Sequence, residues 1–239
     1  MADLGQRLVS LADPAPGVRV LDIGAGRGAV ARAALARDCT VTAIDASPRM
    51  IKRLTADYPA IDGHVMDAAA LDFPDASFEL VTAGFVVQIL ADPAHALGET
   101  HRVLTPGGTV ALSLETQSIG RLRWLHDLTL EFFGGPGGAE TRPAGSGPLD
   151  CDRLDGLLAG AGFTAVTREP VAFPISMATP SALWDWLTPR GLTEAVQLLP
   201  PDRAQAFHQR FLAGAQTMES NGTITLDFGA TLHRATKPG

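Results

Sequence analysis

Short apolar runs rich in β-branched residues alternate with segments of helical periodicity along the first half of the chain. This alternation is typical of parallel strands that are connected by helices. A short amphipathic helix, with Leu4, Leu8 and Leu11 on one face, comes before the first strand. The pattern predicts strands at residues 18–23, 40–45, 64–67, 78–83 and 109–114, and helices at residues 29–37, 48–57 and 92–104.

The second half of the chain is less regular. Residues 134–148 are so rich in Gly and Pro that we expect a mobile loop there. A later amphipathic segment carries Ala204, Phe207 and Phe211 on its apolar side. The remaining pattern predicts helices at residues 117–133 and 150–161, and strands at residues 163–173 and 223–233. We therefore expect a single α/β domain, residues 1–239, with irregular insertions at 117–149 and 174–222.

Composition narrows the class of protein. With 239 residues, 46% hydrophobic and 19% charged, the chain has the profile of an ordinary globular domain. Its net charge of -7, without clustered Lys and Arg, disfavours a nucleic-acid partner. The two cysteines, Cys39 and Cys151, are far apart and predict free thiols. No leader pattern and no apolar stretch long enough to span a bilayer are present, which favours a cytoplasmic protein.

Three glycines, Gly24, Gly26 and Gly28, follow the first predicted strand. In a doubly wound sheet this loop lies where ligands bind, and glycines let a ligand approach the main chain. Their spacing differs from the GxGxxG of dinucleotide-binding loops, and Asp22 precedes them. A carboxylate is unfavourable beside a pyrophosphate but suits a ligand that carries an ammonium group. A tight turn without a ligand is the alternative interpretation.

Two further acids end the next two predicted strands. Asp45 follows Asp22 by 23 positions, where a carboxylate can accept hydrogen bonds from both ribose hydroxyls. Asp67 is placed to accept a hydrogen bond from the exocyclic amine of adenine. Together the three acids predict a nucleoside with a cationic tail. Asp45 and Asp67 have an alternative role as helix caps, since short acids often precede helices.

Four segments carry a family resemblance. They are VLDIGAGRGAVA at residues 20–31, AIDASPRMI at 43–51, MDAAALDFPDASFELVTAGF at 66–85 and RVLTPGGTVALS at 102–113. In this order the chain resembles the class I S-adenosylmethionine-dependent methyltransferases, in the branch of the ubiquinone and menaquinone C-methyltransferases and many small-molecule enzymes. The resemblance implies a doubly wound, Rossmann-like, seven-stranded and mostly parallel sheet whose last strand is antiparallel. It also implies that the insertions at 117–149 and 174–222 form a helical lid that binds the acceptor.

The resemblance also implies a cofactor site for S-adenosylmethionine and its product S-adenosylhomocysteine. The loop after the first strand would hold the methionine end of the cofactor, and Asp45 the ribose. Ala46 and Met50 would flank the adenine, Asp67 and the amide of Ala68 would contact its edge, and the segment after the fourth strand would face the sulfonium. The implied cofactor-binding residues are Asp22, Gly24, Ala25, Gly26, Asp45, Ala46, Met50, Asp67, Ala68, Gly84 and Phe85.

The acceptor site is less defined by the sequence. Aromatic residues of the two insertions either line an acceptor pocket or only pack the lid; they are Trp124, Phe132, Trp184 and Trp186. His126 is a candidate general base. Many members of the family have a histidine shortly after the fourth strand, where this chain has Gln88. Glu115, at the end of the fifth strand, is a further catalytic candidate that could instead cap or bind solvent.

The sequence thus predicts methyl transfer to a small, apolar or aromatic metabolite at oxygen, carbon or nitrogen, by in-line displacement and without a metal. One alternative is a protein that binds the same cofactor but catalyses a cyclisation, or only binds. A nicotinamide oxidoreductase is disfavoured by Asp22 and by the glycine spacing. The partner is a small-molecule acceptor, and the oligomeric state stays open, with a homodimer as one alternative.

Overall fold

The computed structural model describes residues 2–116, 119–133, 149–188 and 192–239. The chain divides into two compact units. The sheet unit comprises Met1–Thr116, Pro148–Val171 and Ala230–Gly239, and the helical unit comprises Gln117–Gly147 and Ala172–Gly229. The loop predicted at residues 134–148 lies outside the described residues.

The described elements alternate between strands and helices, as the hydrophobic pattern predicts. In chain order they are α1 (Ala2–Ala12), β1 (Arg19–Ile23), α2 (Ala29–Leu35), β2 (Thr40–Asp45), α3 (Pro48–Asp57), β3 (Asp62–Val65), β4 (Phe78–Gly84), a 3₁₀ turn (Val87–Ile89), α4 (Pro93–Val103), β5 (Leu104–Thr116), α5 (Ile119–Phe133), α6 (Cys151–Gly160), β6 (Thr164–Met177), α7 (Pro180–Leu187), α8 (Leu192–Gln197), α9 (Pro201–Gln216), β7 (Glu219–Ser220) and β8 (Thr223–Thr236).

The strands form one sheet in the order β3-β2-β1-β4-β5-β8-β6, and the two-residue β7 pairs with β8 in antiparallel fashion. The pairs β1–β2, β2–β3, β1–β4 and β4–β5 are parallel. The chain runs outward from β1 to β2 and β3, then returns to place β4 on the other side of β1. The doubly wound, mostly parallel sheet implied by the family resemblance is confirmed, and its topological switch point lies between β1 and β4.

Apolar side chains fill the centre of the sheet unit. Leu21 on β1, Val81 on β4 and Leu112 on β5 are almost completely buried in one cluster. Strands that are covered on both faces consist of near-continuous apolar runs, which is why these three strands were readily predicted.

Two strands differ from the prediction. β3 covers Asp62–Val65 and pairs with β2 from Thr42 to Asp45, whereas the pattern predicted residues 64–67. This edge strand has no buried side chain, so its apolar pattern is weak. β5 begins at Leu104 and includes Pro106-Gly107-Gly108, whereas the pattern predicted a strand at residues 109–114. The pairing with β4 shifts register there, and Gly107 and Gly108 exchange main-chain hydrogen bonds with Lys237.

The helical unit has its own apolar core. Phe207 and Phe211 of α9 are fully buried, as the amphipathic pattern predicts. Leu125 and Leu128 of α5 and Leu183 of α7 complete this core. The unit is therefore stabilised by helix packing around α9.

Candidate functional site

The glycine loop between β1 and α2 has an unusual backbone. Gly24, Gly26 and Gly28 have φ angles of +63°, +54° and +80°, which side-chain-bearing residues rarely adopt. A Cβ on Gly24 would lie 2.3 Å from a methyl of Val86, and one on Gly28 would lie 2.3 Å from a methyl of Leu54. A Cβ on Gly26 would meet no atom closer than 4.0 Å. Gly26 therefore faces open space, where a ligand can reach the main chain.

Asp22 is buried beneath this loop, at 1% exposure. Its Oδ2 accepts the N–H of Ala31 in α2 at 2.9 Å, and its Oδ1 accepts the hydroxyl of Thr82 in β4 at 2.8 Å. Burial raises the pKa of Asp22 to about 7, although both hydrogen bonds favour the ionised form; the charge of Asp45 adds to the rise. Asp22 thus ties the start of α2 to β4, and its contact with a ligand ammonium stays a prediction.

Asp45 ends β2 and is half-buried. Its Oδ2 accepts the N–H of Gly26 at 2.9 Å, and its Oδ1 accepts the N–H of Ser47 at 2.8 Å. The carboxylate therefore fixes the glycine loop to the start of α3. Ala46 is exposed and Met50 is half-buried in the first turn of α3, beside Asp45 in sequence.

Asp67 lies two residues beyond the end of β3 and not at its end, since β3 stops at Val65. Its Oδ1 accepts the N–H of Ala69 at 2.9 Å, a local turn that leaves the side chain exposed. Ala68 is buried. The structure thus brings Asp22, Asp45 and Asp67 to the same edge of three adjacent strands.

Gly84 ends β4 on the other side of the switch point, and Phe85 follows it with a φ of +58°. The N–H of Phe85 donates to the carbonyl of Ser113 at 3.2 Å and to its hydroxyl at 2.9 Å. In the following turn, Gln88 contacts Glu115 of β5. Two of the catalytic candidates predicted from the sequence are therefore neighbours.

The aromatic residues predicted for the acceptor pocket lie in the helical unit, where they belong to or pack against its apolar core. The indole N–H of Trp124 donates to the sulfur of Met218 at 3.1 Å. Phe132 and Trp184 both pack against Phe207, with ring centroids 5.3 Å and 6.1 Å away. These contacts favour the packing alternative for Trp124, Phe132, Trp184 and Trp186. The side chain of His126 lies outside the described residues.

Two residues of this edge were missed by the sequence analysis. Thr82 and Ser113 are buried polar residues in the apolar strands β4 and β5. The hydroxyl of Thr82 donates to Asp22, and that of Ser113 accepts the N–H of Phe85. A hydroxyl inside an apolar run indicates a buried partner, because an unpaired polar group is costly to bury. That signal was available in the sequence.

Two features are absent from the described part of the chain. In these ranges no group of three or more His, Cys, Asp or Glu side chains is placed to hold a metal ion. No described helix is long and apolar enough to cross a membrane.

The site therefore belongs to an α/β protein with a glycine loop at the switch point and carboxylates along the neighbouring strand ends, an arrangement suited to a nucleoside-containing cofactor. Residues 21–112 match the family model of a methyltransferase domain. These residues form a methyltransferase domain, and the similar proteins support an S-adenosylmethionine-dependent methyltransferase of class I.

Relatives of known name agree with this class. Nocamycin O-methyltransferase of Saccharothrix syringae is 27% identical over 246 residues, covering 94% of this chain and 87% of the relative. Malonyl-[acyl-carrier protein] O-methyltransferase of Serratia marcescens is 34% identical over 125 residues, covering 52% of this chain and 48% of the relative. The chain thus spans about half the length of the second relative.

Two solved structures share the fold. The YcgJ protein of Bacillus subtilis is 20% identical, with a TM-score of 0.67 and 99% of both chains covered. The [4+2]-cyclase SpnF is 21% identical, with a TM-score of 0.60, and the match covers 99% of this chain and 81% of SpnF. At these identities the likeness concerns the fold alone.

Proposed function

We propose that the chain transfers the methyl group of S-adenosylmethionine to a small, apolar or aromatic metabolite. The observation that carries this proposal is the placement of Asp22, Asp45 and Asp67 along the carboxyl edge of β1, β2 and β3, beside a glycine loop that is open at Gly26. The match of residues 21–112 to a methyltransferase domain supports it.

The cofactor contacts are proposed as follows. The main chain of Gly24, Ala25 and Gly26 holds the methionine end. Asp22, beneath this loop, contributes its negative charge toward the ammonium group of the ligand. Asp45 accepts hydrogen bonds from the ribose. The open space at Gly26 and the partial exposure of Asp45 fit such a ligand. The remaining proposed contacts are Ala46, Met50, Asp67 and Ala68 for adenine, and Gly84 and Phe85 for the sulfonium side.

When bound, S-adenosylmethionine would supply an electrophilic methyl group for in-line displacement, with Gly84 and Phe85 on its sulfonium side. The protein's contribution is to orient the acceptor in line and to exclude water, which together supply most of the rate enhancement of such a displacement. His126, Glu115 and Gln88 are the candidates for contact with the acceptor.

A small-molecule acceptor is supported by the name of nocamycin O-methyltransferase, a relative of which the match covers 87%. Trp124, Phe132, Trp184 and Trp186 remain candidates for acceptor contacts at the edge of the helical unit's core. The packing of Trp124 and Trp184 around Phe211 limits this role to the exposed parts of their rings.

Calorimetric titration with S-adenosylhomocysteine, and with NAD as the control, tests the cofactor. Incubation with S-adenosylmethionine and a panel of aromatic alcohols, enols and amines then tests transfer, with S-adenosylhomocysteine as the product measured. We expect binding of S-adenosylhomocysteine, no binding of NAD, and product with at least one acceptor class. Tight binding without turnover on any acceptor would instead favour the alternative of a cyclase or a binding protein.

A further inference from the structure

Arg27 is the only charged residue of the glycine loop and lies between Gly26 and Gly28. The residue is exposed, and its φ angle is not positive, unlike those of both neighbours. Within the part of the chain that the structure describes, Arg27 makes no hydrogen bond and no ion pair. Because an arginine stays ionised and carries five N–H donors, this side chain is available to an anionic ligand.

Three main-chain donors of the loop are already engaged by the protein itself. The N–H of Ala25 donates to the carbonyl of Ile44 at 2.9 Å, and that of Gly28 donates to the carbonyl of Ala25 at 2.8 Å. The N–H of Gly26 donates to the carboxylate of Asp45 at 2.9 Å. The carbonyls of the loop can still accept an ammonium group, since each offers two lone pairs. A ligand carboxylate needs donors instead, and these three N–H groups cannot supply them.

The charges around the loop also disfavour a ligand carboxylate. Asp22 lies beneath the loop, Asp45 contacts it, and the charge of Asp45 adds to the rise in the pKa of Asp22. The methionine end of S-adenosylmethionine and of S-adenosylhomocysteine carries a carboxylate beside its ammonium group. Because like charges repel, a carboxylate bound next to these acids requires a cation from the protein.

Arg27 lies beside the open part of the loop. A Cβ on Gly26 would meet no atom closer than 4.0 Å, whereas one on Gly28 would lie 2.3 Å from a methyl of Leu54. Consecutive Cα atoms are about 3.8 Å apart, so the Arg27 side chain begins one residue from the space proposed for the methionine end. By contrast, Arg49 lies in the first turn of α3, next to Met50 and the proposed adenine contacts.

We propose that Arg27 binds the carboxylate of the cofactor's methionine end and thereby makes the site selective for ligands with an intact amino-acid tail. A guanidinium can form two parallel hydrogen bonds with a carboxylate, which a lysine ammonium does not reproduce. The acids and carbonyls of the loop are then left to the ammonium group. This inference rests on the proposed function, since it adds a contact to the same cofactor.

The test uses two ligands that differ only in the carboxylate: S-adenosylhomocysteine and its decarboxylated analogue, 5′-deoxy-5′-(3-aminopropylthio)adenosine. Calorimetric titration of the full chain gives the Kd of each ligand. For the wild type we expect S-adenosylhomocysteine to bind about tenfold more tightly, because only this ligand pairs with Arg27. In Arg27→Gln the Kd of S-adenosylhomocysteine should rise about tenfold. The Kd of the analogue should not rise, because its tail is cationic and gains nothing from an arginine.

Arg27→Lys keeps the charge but loses the forked donor pair, so it should retain only part of the preference for S-adenosylhomocysteine. Arg49→Gln is the matched control: it removes the same charge from an exposed position of α3 and should leave the ratio of the two Kd values unchanged. A thermal unfolding curve for each variant verifies that it is folded.

Three results would overturn the inference: equal affinity of the wild type for the two ligands, a parallel loss of both in Arg27→Gln, or the same loss of preference in Arg49→Gln. A parallel loss would mean that Arg27 only shapes the loop. Failure of the wild type to bind S-adenosylhomocysteine defeats the proposed function as well. Tight binding of S-adenosylhomocysteine without the expected preference defeats only the role of Arg27.

Discussion

The carboxylate of Asp45, at the end of β2, accepts the main-chain N–H of Gly26 at 2.9 Å, across 19 positions of sequence. This bond joins two segments that are each proposed to contact the cofactor. The loop is therefore preorganised by the same residue that is proposed to bind the ribose.

Asp45→Asn tests this double role. The asparagine has one acceptor oxygen, so it can satisfy the N–H of Gly26 or that of Ser47 but not both. We expect the Kd of S-adenosylhomocysteine to rise by about 10- to 100-fold, since a hydrogen bond to a charged group contributes about 1.5–3 kcal/mol. Calorimetry provides the measurement. Asp57→Asn, at the exposed end of α3, is the control, and an equal loss in that variant would contradict the assignment.

Gly26→Ala and Gly28→Ala separate binding from stability. Both place alanine at positive φ, which costs on the order of 1–2 kcal/mol. Only the Cβ at residue 28 would also clash, 2.3 Å from Leu54. We expect Gly28→Ala to lower the free energy of unfolding by about 1–3 kcal/mol more than Gly26→Ala. Gly26→Ala should instead weaken the binding of S-adenosylhomocysteine more, because its Cβ enters the open space. Urea unfolding and calorimetry on both variants decide this, and a reversed order refutes it.

Asp22 should make stability depend on pH. Its pKa is about 7 in the folded protein, against 3.8 for an aspartate in water, so the folded state binds the proton more tightly than the unfolded state. The contribution of Asp22 to the free energy of unfolding is then fully present below pH about 4 and is lost as the pH rises through 7. The total change is on the order of a few kcal/mol.

Asp22→Asn should remove this dependence, because an amide can still pair with Ala31 and Thr82. We expect the variant to gain stability relative to the wild type between pH 5 and pH 8. Urea unfolding over this range measures the difference. Parallel pH curves for the two proteins would show that Asp22 does not titrate in this range.

Arg102 should be a stabilising residue of the sheet unit. Its guanidinium donates to Glu99, to Asp75 and to the carbonyls of Leu71 and Phe73, and thereby holds the segment between β3 and β4. Lysine cannot reproduce these forked contacts. We expect Arg102→Lys to lower the free energy of unfolding by about 1–3 kcal/mol. Arg53→Lys, in an exposed ion pair with Asp57, is the control and should change it by less than about 0.5 kcal/mol. Equal losses would indicate that the network is not stabilising.

The sequence predicted the bounds of helices and strands most accurately where several local signals agree. β2 and α3 have the predicted bounds, because a buried apolar strand ends at Asp45 and Pro48 begins a helix. It was least informative at the sheet edge, where β3 has only polar or half-exposed side chains and is defined by its pairing with β2.

For the site, sequence reasoning placed Asp22, Asp45 and Asp67 at one edge, but it could not give their partners. The bonds from Asp22 to Thr82 and from Gln88 to Glu115 span 60 and 27 positions, and they depend on the order of strands in the sheet. No local pattern carries that information.

The strand order also has a consequence for synthesis on the ribosome. β6 joins the sheet through β8, which lies between β5 and β6. β8 is completed roughly sixty residues after β6, several seconds later at about 5–20 residues per second. Until then β6 has no place beside β5, and its exposed edge must be kept from pairing with other chains. The growing chain is therefore vulnerable to aggregation in the interval before β8 emerges.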